Sequence, residues 1–120
     1  MSAPVESVAE LQRRVCKAYR ADYTPPIPGT KVGLALQTMG RIPVLGVRIP
    51  PTDTTNGWFI FAGDEPTADP DFYQPLCVEH VETYCPFAIP FLALPPGWRF
   101  YSDGQGDYGA EFDPALLAQE

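Results

Sequence analysis

Between Arg48 and Arg99 this 120-residue chain contains neither lysine nor arginine, and after Arg99 no further one follows. Seven acids occupy the first of these stretches and five the second, so a surface built from them is strongly negative. Eight basic residues against fifteen acids leave a formal net charge of −7. Such a surface repels nucleic acid and anionic membrane, and it attracts a basic protein partner at a salt-dependent rate. Plain solubility is the alternative explanation.

Histidine is scarcer still, because His80 stands alone. Any Ser–His or Cys–His chemistry would have to pass through it, and the three serines (Ser2, Ser7, Ser102) read as a terminus, a helix cap and a turn. Cys77-x-x-His80, with Cys85 and Glu82 nearby, resembles part of a zinc site. The second pair of closely spaced ligands is missing, so a buried thiol and a satisfied histidine are the commoner outcome. A literal Gly104-x-Gly106-x-x-Gly109 is present, but no helix follows it, and Asp103 and Asp107 would repel a phosphate. It reads as a hairpin turn. No catalytic residue, metal or cofactor is expected.

Three cysteines are an odd and sparse set rather than a disulfide framework, which points to a reducing cytoplasm. The first fourteen residues lack the pattern of a secretory leader. Residues 83–98 form the longest uncharged run, too short for a membrane span and broken by four prolines.

Proline, by contrast, is abundant at fifteen residues, clustered at 25–28, 50–51 and 95–96 as punctuation between short elements. Ser7-x-x-Glu10 predicts a helix N-terminus, with Val8, Leu11, Val15, Ala18 and Tyr19 as the apolar stripe and Pro25-Pro26 as the stop. Residues 31–37 and 44–49 read as two strands joined by Met39-Gly40-Arg41 into a hairpin. Trp58 to Phe61 is apolar on both sides, as a central strand is, with Gly57 and Gly63 around it. Leu76 to Tyr84 fits a strand and a helix equally. Phe87 to Leu94 suggests one or two helical turns, 98–101 and 108–112 a second hairpin, and 114–120 a short terminal turn. The whole predicts a single α+β domain over 1–120: an N-terminal amphipathic helix within 1–24, then a largely antiparallel sheet with one or two short helices.

After Gly63 comes the densest acidic cluster: Asp64, Glu65, Asp69 and Asp71. A glycosidase-like pair would need two carboxyls held across a cleft, and a calcium loop would need alternating oxygen donors and a sharp-turn glycine. Capping of backbone, or display to a partner, fits better. Two alternatives stand beside these. One is a small hydrolase using Glu65 with Asp64 or Asp71; the other is an interaction module that self-associates through exposed aromatics such as Phe72 and Tyr73.

Asn56-Gly57-Trp58-Phe59-Ile60-Phe61-Ala62-Gly63-Asp64-Glu65 resembles the Gly-Trp…Phe-x-Gly-Asp-Glu signature of a bacterial immunity-protein family, number thirty-three in the polymorphic-toxin series. Residues 89–100, from Ile89 through Leu94-Pro95-Pro96-Gly97-Trp98 to Phe100, are similar to its second block, and Lys31-Val32-Gly33 looks like its opening strand. The likeness spans about 30–112. It implies a cytoplasmic antidote that binds and blocks a cognate toxin used in competition between bacteria, and no enzyme. Gly57, Trp58, Gly63, Asp64, Glu65, Pro95 and Gly97 would then be structural. The toxin, whose active site is basic if it works on nucleic acid or a nucleotide, would be read by the acids and aromatics outside the signature: Asp69, Asp71, Phe72, Tyr73, Glu79, Glu82, Asp103 and Asp107.

Overall fold

A computed structural model describes residues 7–63 and 72–118. Helix α1 (Val8–Ala18) starts where the capping pattern puts it. The Glu10 N–H donates to Ser7 Oγ at 3.1 Å, and the Ser7 hydroxyl donates to the Glu10 carboxylate. The helix ends well before Pro25. Arg20 adopts a left-handed conformation (φ 58°), Ala21 N–H donates to Cys16 O, and Arg20 N–H donates to Lys17 O. These paired bonds close the helix without help from proline. The buried line is also rotated from the expected stripe: Gln12 and Cys16 face inward while Val8 and Ala18 are exposed. Gln12 tolerates burial because its amide donates to Ile89 O at 2.9 Å.

Six strands follow: β1 (Lys31–Leu34), β2 (Val44–Arg48), β3 (Trp58–Ala62), β4 (Gln74–Cys77), β5 (Trp98–Ser102) and β6 (Tyr108–Phe112). Their order across the sheet is β4-β1-β3-β2-β5-β6, and every pairing is antiparallel except β1 with β3. The expected β1–β2 hairpin therefore does not form. Between them the chain takes a 3-10 turn at Leu36–Thr38, where the Thr38 hydroxyl accepts the Ala62 N–H at the end of β3. That contact lays the connection across β3 and opens the slot that β3 fills. β3 is the strand with bulky groups on both sides, so it gains most from two neighbours.

Leu76 to Tyr84 resolves into both of its readings: the end of β4, a 3-10 turn at Val78–His80, then helix α2 (Val81–Tyr84). A 3-10 segment at Pro86–Phe91 and another at Pro114–Ala118 complete the chain, and the β5–β6 hairpin is as expected. Helices α1 and α2 and the Pro86–Phe91 segment all pack on one sheet face. There Cys16, Val81, Cys85, Ala88 and Phe91 close over Val32, Leu34, Trp58, Ile60 and Phe100. Gly46 leaves room on that face for the Phe100 ring, which a Cβ would overlap.

Arg48 lies inside this core at 4% exposure. One guanidinium nitrogen donates to Thr24 O and to Leu94 O, both at 2.7 Å, and reaches Leu92 O at 3.5 Å. Nε points at Asn56 O, and the group stands 5.5 Å from the centre of the Trp58 ring. The Trp58 indole in turn donates to Leu92 O at 2.9 Å. Arg48 O accepts from Gly97 N–H at 2.7 Å. Burial pulls the guanidinium down to about 10, so it remains a cation at neutral pH.

Arg48→Ala is expected to lower the unfolding free energy by about 3 kcal/mol or more, since it orphans carbonyls from two segments inside the core. Arg48→Lys should recover less than half, because an ammonium lacks the planar fork that serves several acceptors at once. Urea unfolding checks both; a loss below about 1 kcal/mol in the alanine variant would show that the cation is dispensable.

Candidate partner-binding surface

Pairing directions fix which connections share an end of the sheet. Strands β1, β3 and β5 run one way and β2, β4 and β6 the other. The chain therefore leaves β3 at Gly63 and enters β4 at Gln74 on the same end as the β5–β6 turn. Call this the upper end. Asp64, Glu65, Asp69 and Asp71 lie outside the described residues, but both anchors of their segment are described.

Gly63 holds φ 82°, its N–H donates to Pro43 O, and the Arg41 side chain lies against it. At the other anchor, Phe72 is only 4% exposed. It packs on Phe61 and on Tyr73, and the Tyr73 ring meets Phe59 edge-on at 5.2 Å. The expectation of Phe72 as an exposed aromatic is thus corrected: Phe61 points to the sheet face that carries no helix, and Phe72 is its cover. Tyr73 is half-buried, and burial pushes its phenol up.

Asp103 and Asp107 also stand at the upper end, in the β5–β6 turn. Asp103 Oδ1 accepts from the backbone of Gln105 (2.7 Å) and Asp107 (3.1 Å), while Asp107 is exposed. Gly104 (φ 74°) and Gly106 (φ 107°) supply the left-handed corners, which accounts for the glycine spacing as turn geometry. Glu79 and Glu82 are elsewhere. Glu79 follows β4 at the lower end, where its carboxylate accepts Gly29 N–H at 2.8 Å, and Glu82 is exposed on α2. The acids expected to read a partner therefore fall into two groups. Asp103, Asp107 and the anchors of the 64–71 segment share one end; Glu79 and Glu82 do not join them.

Among the described signature residues, Asn56, Gly57, Trp58 and Gly97 are buried. Gly57 sits at φ 98°, where any Cβ would overlap Ile49 O, and the Asn56 side chain accepts Trp58 N–H at 3.1 Å and donates to Thr30 Oγ1. Gly97 (φ 97°) donates to Arg48 O and accepts from Asp113 N–H, with the Phe112 ring where a side chain would be. Pro95 O accepts Trp98 N–H in the same corner.

Nucleophile and metal chemistry find little here. Burial pushes the Cys85 thiol up to about 12 and raises Cys16 as well, the reverse of what a reactive thiolate needs. His80 is exposed, and Cys77 is half-buried on β4. Among the described residues, no group of three or more His, Cys, Asp or Glu side chains could hold a metal ion, and no helix is long and apolar enough to cross a membrane.

A family model described as the Imm33-like domain matches residues 11–111. The chain belongs to the Imm33-like domain family. The matched span begins inside α1 and ends within β6, so this Imm33-like domain takes in most of the helix as well as the sheet. No curated protein and no solved structure matches the chain. The core corner around Arg48 was missed by sequence reasoning, although a signal existed. Val44, Gly46 and Arg48 alternate on one face of β2, which places the arginine with the core residues.

In the native Imm33-like domain at pH 8, one thiol per chain should react promptly with a disulfide reagent, and that thiol is Cys77. At about 12 the Cys85 thiol has a thiolate fraction on the order of 10⁻⁴ at that pH. Cys16 and Cys85 should react only as the chain unfolds. Prompt labelling of Cys85, read by peptide mass, would contradict the packing of α2 on the sheet.

Proposed function

We propose that this Imm33-like protein is an immunity protein: it binds a cognate bacterial toxin domain in the cytoplasm and blocks it one-to-one with an acidic surface. Membership of the family implies a toxin partner in general terms. The observation that carries the reading further is the division of labour just described. The residues of the family signature that are described close the core. The acidic turn with Asp103 and Asp107 stands at the same end of the sheet as Gly63 and Phe72, the described anchors of the segment whose sequence holds Asp69 and Asp71.

That placement suits a partner with a basic active site. Acids grouped on one rim face a complementary potential together, which speeds encounter and fixes orientation. Tyr73 contributes a half-buried aromatic at the same rim, and Phe72 acts beneath it by holding the segment's end in place. Glu79 and Glu82 add to the field from farther off. The alternative reading, a hydrolase that uses Glu65 with Asp64 or Asp71, falls on residues outside those described.

Binding of the purified protein to the toxin domain encoded by the adjacent gene tests this directly. Asp69→Lys with Asp71→Lys is expected to slow association about tenfold or more at low salt and to flatten its salt dependence. Reversal of Asp103 and Asp107 should act in the same direction. Reversal of Glu79 and Glu82 should change the rate less than about threefold. An unchanged rate in the first two variants would remove the rim from the interface.

A further inference from the structure

The sheet face opposite the helices carries an apolar band that none of α1, α2 and the Pro86–Phe91 segment touches. Register places its members in two rows. One row runs Gly33, Phe59, Val47, Arg99, Glu111; the other runs Phe61, Leu45, Tyr101, Gly109. Phe72 and Tyr73 cover its β3 side. Toward β6 the cover stops among the described residues: Leu45 and Val47 are half-buried and Tyr101 is 40% exposed.

A hollow of about 430 Å³ lies there, lined by Leu45, Arg99, Tyr101, Gly109, Ala110 and Glu111. Its origin is Gly109, whose missing side chain lets the Tyr101 ring lie across the strand; a Cβ would come within 2.8 Å of that ring. The hollow's only cation is spoken for. Arg99 is paired with the Glu111 carboxylate, and Asp113 stands 3.8 Å away.

Resting on the immunity reading above, we infer that this open face, with Tyr101 over Gly109 at its centre, is the apolar anchor of the toxin interface. It receives an apolar projection from the toxin, and basic side chains around that projection meet the acidic rim. Charge decides the occupant. Three of the chain's eight cations (Arg13, Arg14, Lys17) belong to α1, behind the sheet, and Arg20 follows just past its end. On the open face itself Arg99 is neutralised, leaving Lys31 at the lower end of β1 and Arg41 beside Gly63. A second copy of this chain would carry the same net charge of −7, so like charge opposes self-association and a basic partner fits.

Size points the same way. The three uncovered strands, β2, β5 and β6, about 4.8 Å apart and five residues long, give a footprint of roughly 250 Å². A stable interface takes about 800 Å² from each partner, so the apolar face must act together with the rim. An exposed aromatic over a preformed hollow, at the centre of such a patch, has the character of a binding hot spot.

Kinetics against the toxin domain encoded by the adjacent gene test the inference, with Tyr101→Ala set beside Phe87→Ala. Phe87 is a 38% exposed aromatic on the helix side of the sheet, lining a separate groove of about 600 Å³ between α1 and the β5–β6 turn. Tyr101→Ala should weaken binding about thirtyfold or more through faster dissociation, with the salt dependence unchanged, while Phe87→Ala stays within about twofold. Hydroxyl-radical footprinting of the unmutated complex needs no variant to fold, and it should protect Tyr101 and Leu45 but not Phe87. Unaltered affinity in Tyr101→Ala, or no protection of Tyr101, overturns the inference and leaves the immunity reading standing. Weakening or protection at Phe87 alone moves the anchor to the helix-side groove and also overturns it. Absence of any binding by the unmutated protein overturns the immunity reading and this inference with it.

Discussion

Everything in the covered half of this molecule converges on a buried cation that no carboxylate neutralises among the described residues. Arg48 is held by carbonyls of Thr24 and Leu94 and by the face of Trp58. Removing a guanidinium from water is costly, and hydrogen bonds to neutral carbonyls offset that cost only if the carbonyls are fixed beforehand. They are fixed by chain corners. Thr24 ends the connection from α1, with its N–H on Ala93 O, and Leu94 leads into the Pro95-Pro96-Gly97 turn. The two signature blocks thus meet at one residue that belongs to neither: Asn56 and Trp58 of the first and Leu92 and Leu94 of the second at its side chain, Gly97 of the second at its backbone carbonyl.

This convergence separates what sequence could reveal from what it could not. Local chemistry was legible. The Ser7–Glu10 box, the β5–β6 turn, the double-sided apolar run of β3 and one or two helical turns within 87–94 each follow from residues within a few positions of one another. The β1–β2 hairpin was misread because Met39-Gly40-Arg41 looks like a turn, while the deciding contact, Thr38 to Ala62, spans 24 positions. The end of α1 was misread for a different reason. Proline is a visible stop, whereas a left-handed arginine at position 20 carries no compositional sign.

For the partner-binding surface, residue type was legible and location was not. Acids could be counted from the sequence, yet only strand direction sorts Asp103 and Asp107 from Glu79 and Glu82. Phe72 shows the limit most clearly. An aromatic beside a run of acids looks offered to solvent, but the bulk of Phe61 on the helix-free face calls for a cover, and Phe72 supplies it. Tyr101 carried no signal at all, since its exposure depends on a glycine in the neighbouring strand.

The sheet also partitions charge. Among the described residues the cations of α1 lie on one side of it, and the acidic turn with Asp103 and Asp107 stands at one end, so charge is polarised across it. At physiological ionic strength fields fade over about 8 Å, so this polarity acts only once a partner is nearly in contact. Long-range attraction by net charge then matters less than the order of the last encounters. A basic surface that approaches from the helix side meets Arg13 and Lys17, exposed on α1, and Arg20 just past its end, and is repelled by them. On the proposed immunity reading, one that approaches the upper end is drawn in and rotated toward the face that α1 leaves open. An acidic protein can in this way select an orientation as well as a partner, using the same strands that bury Arg48.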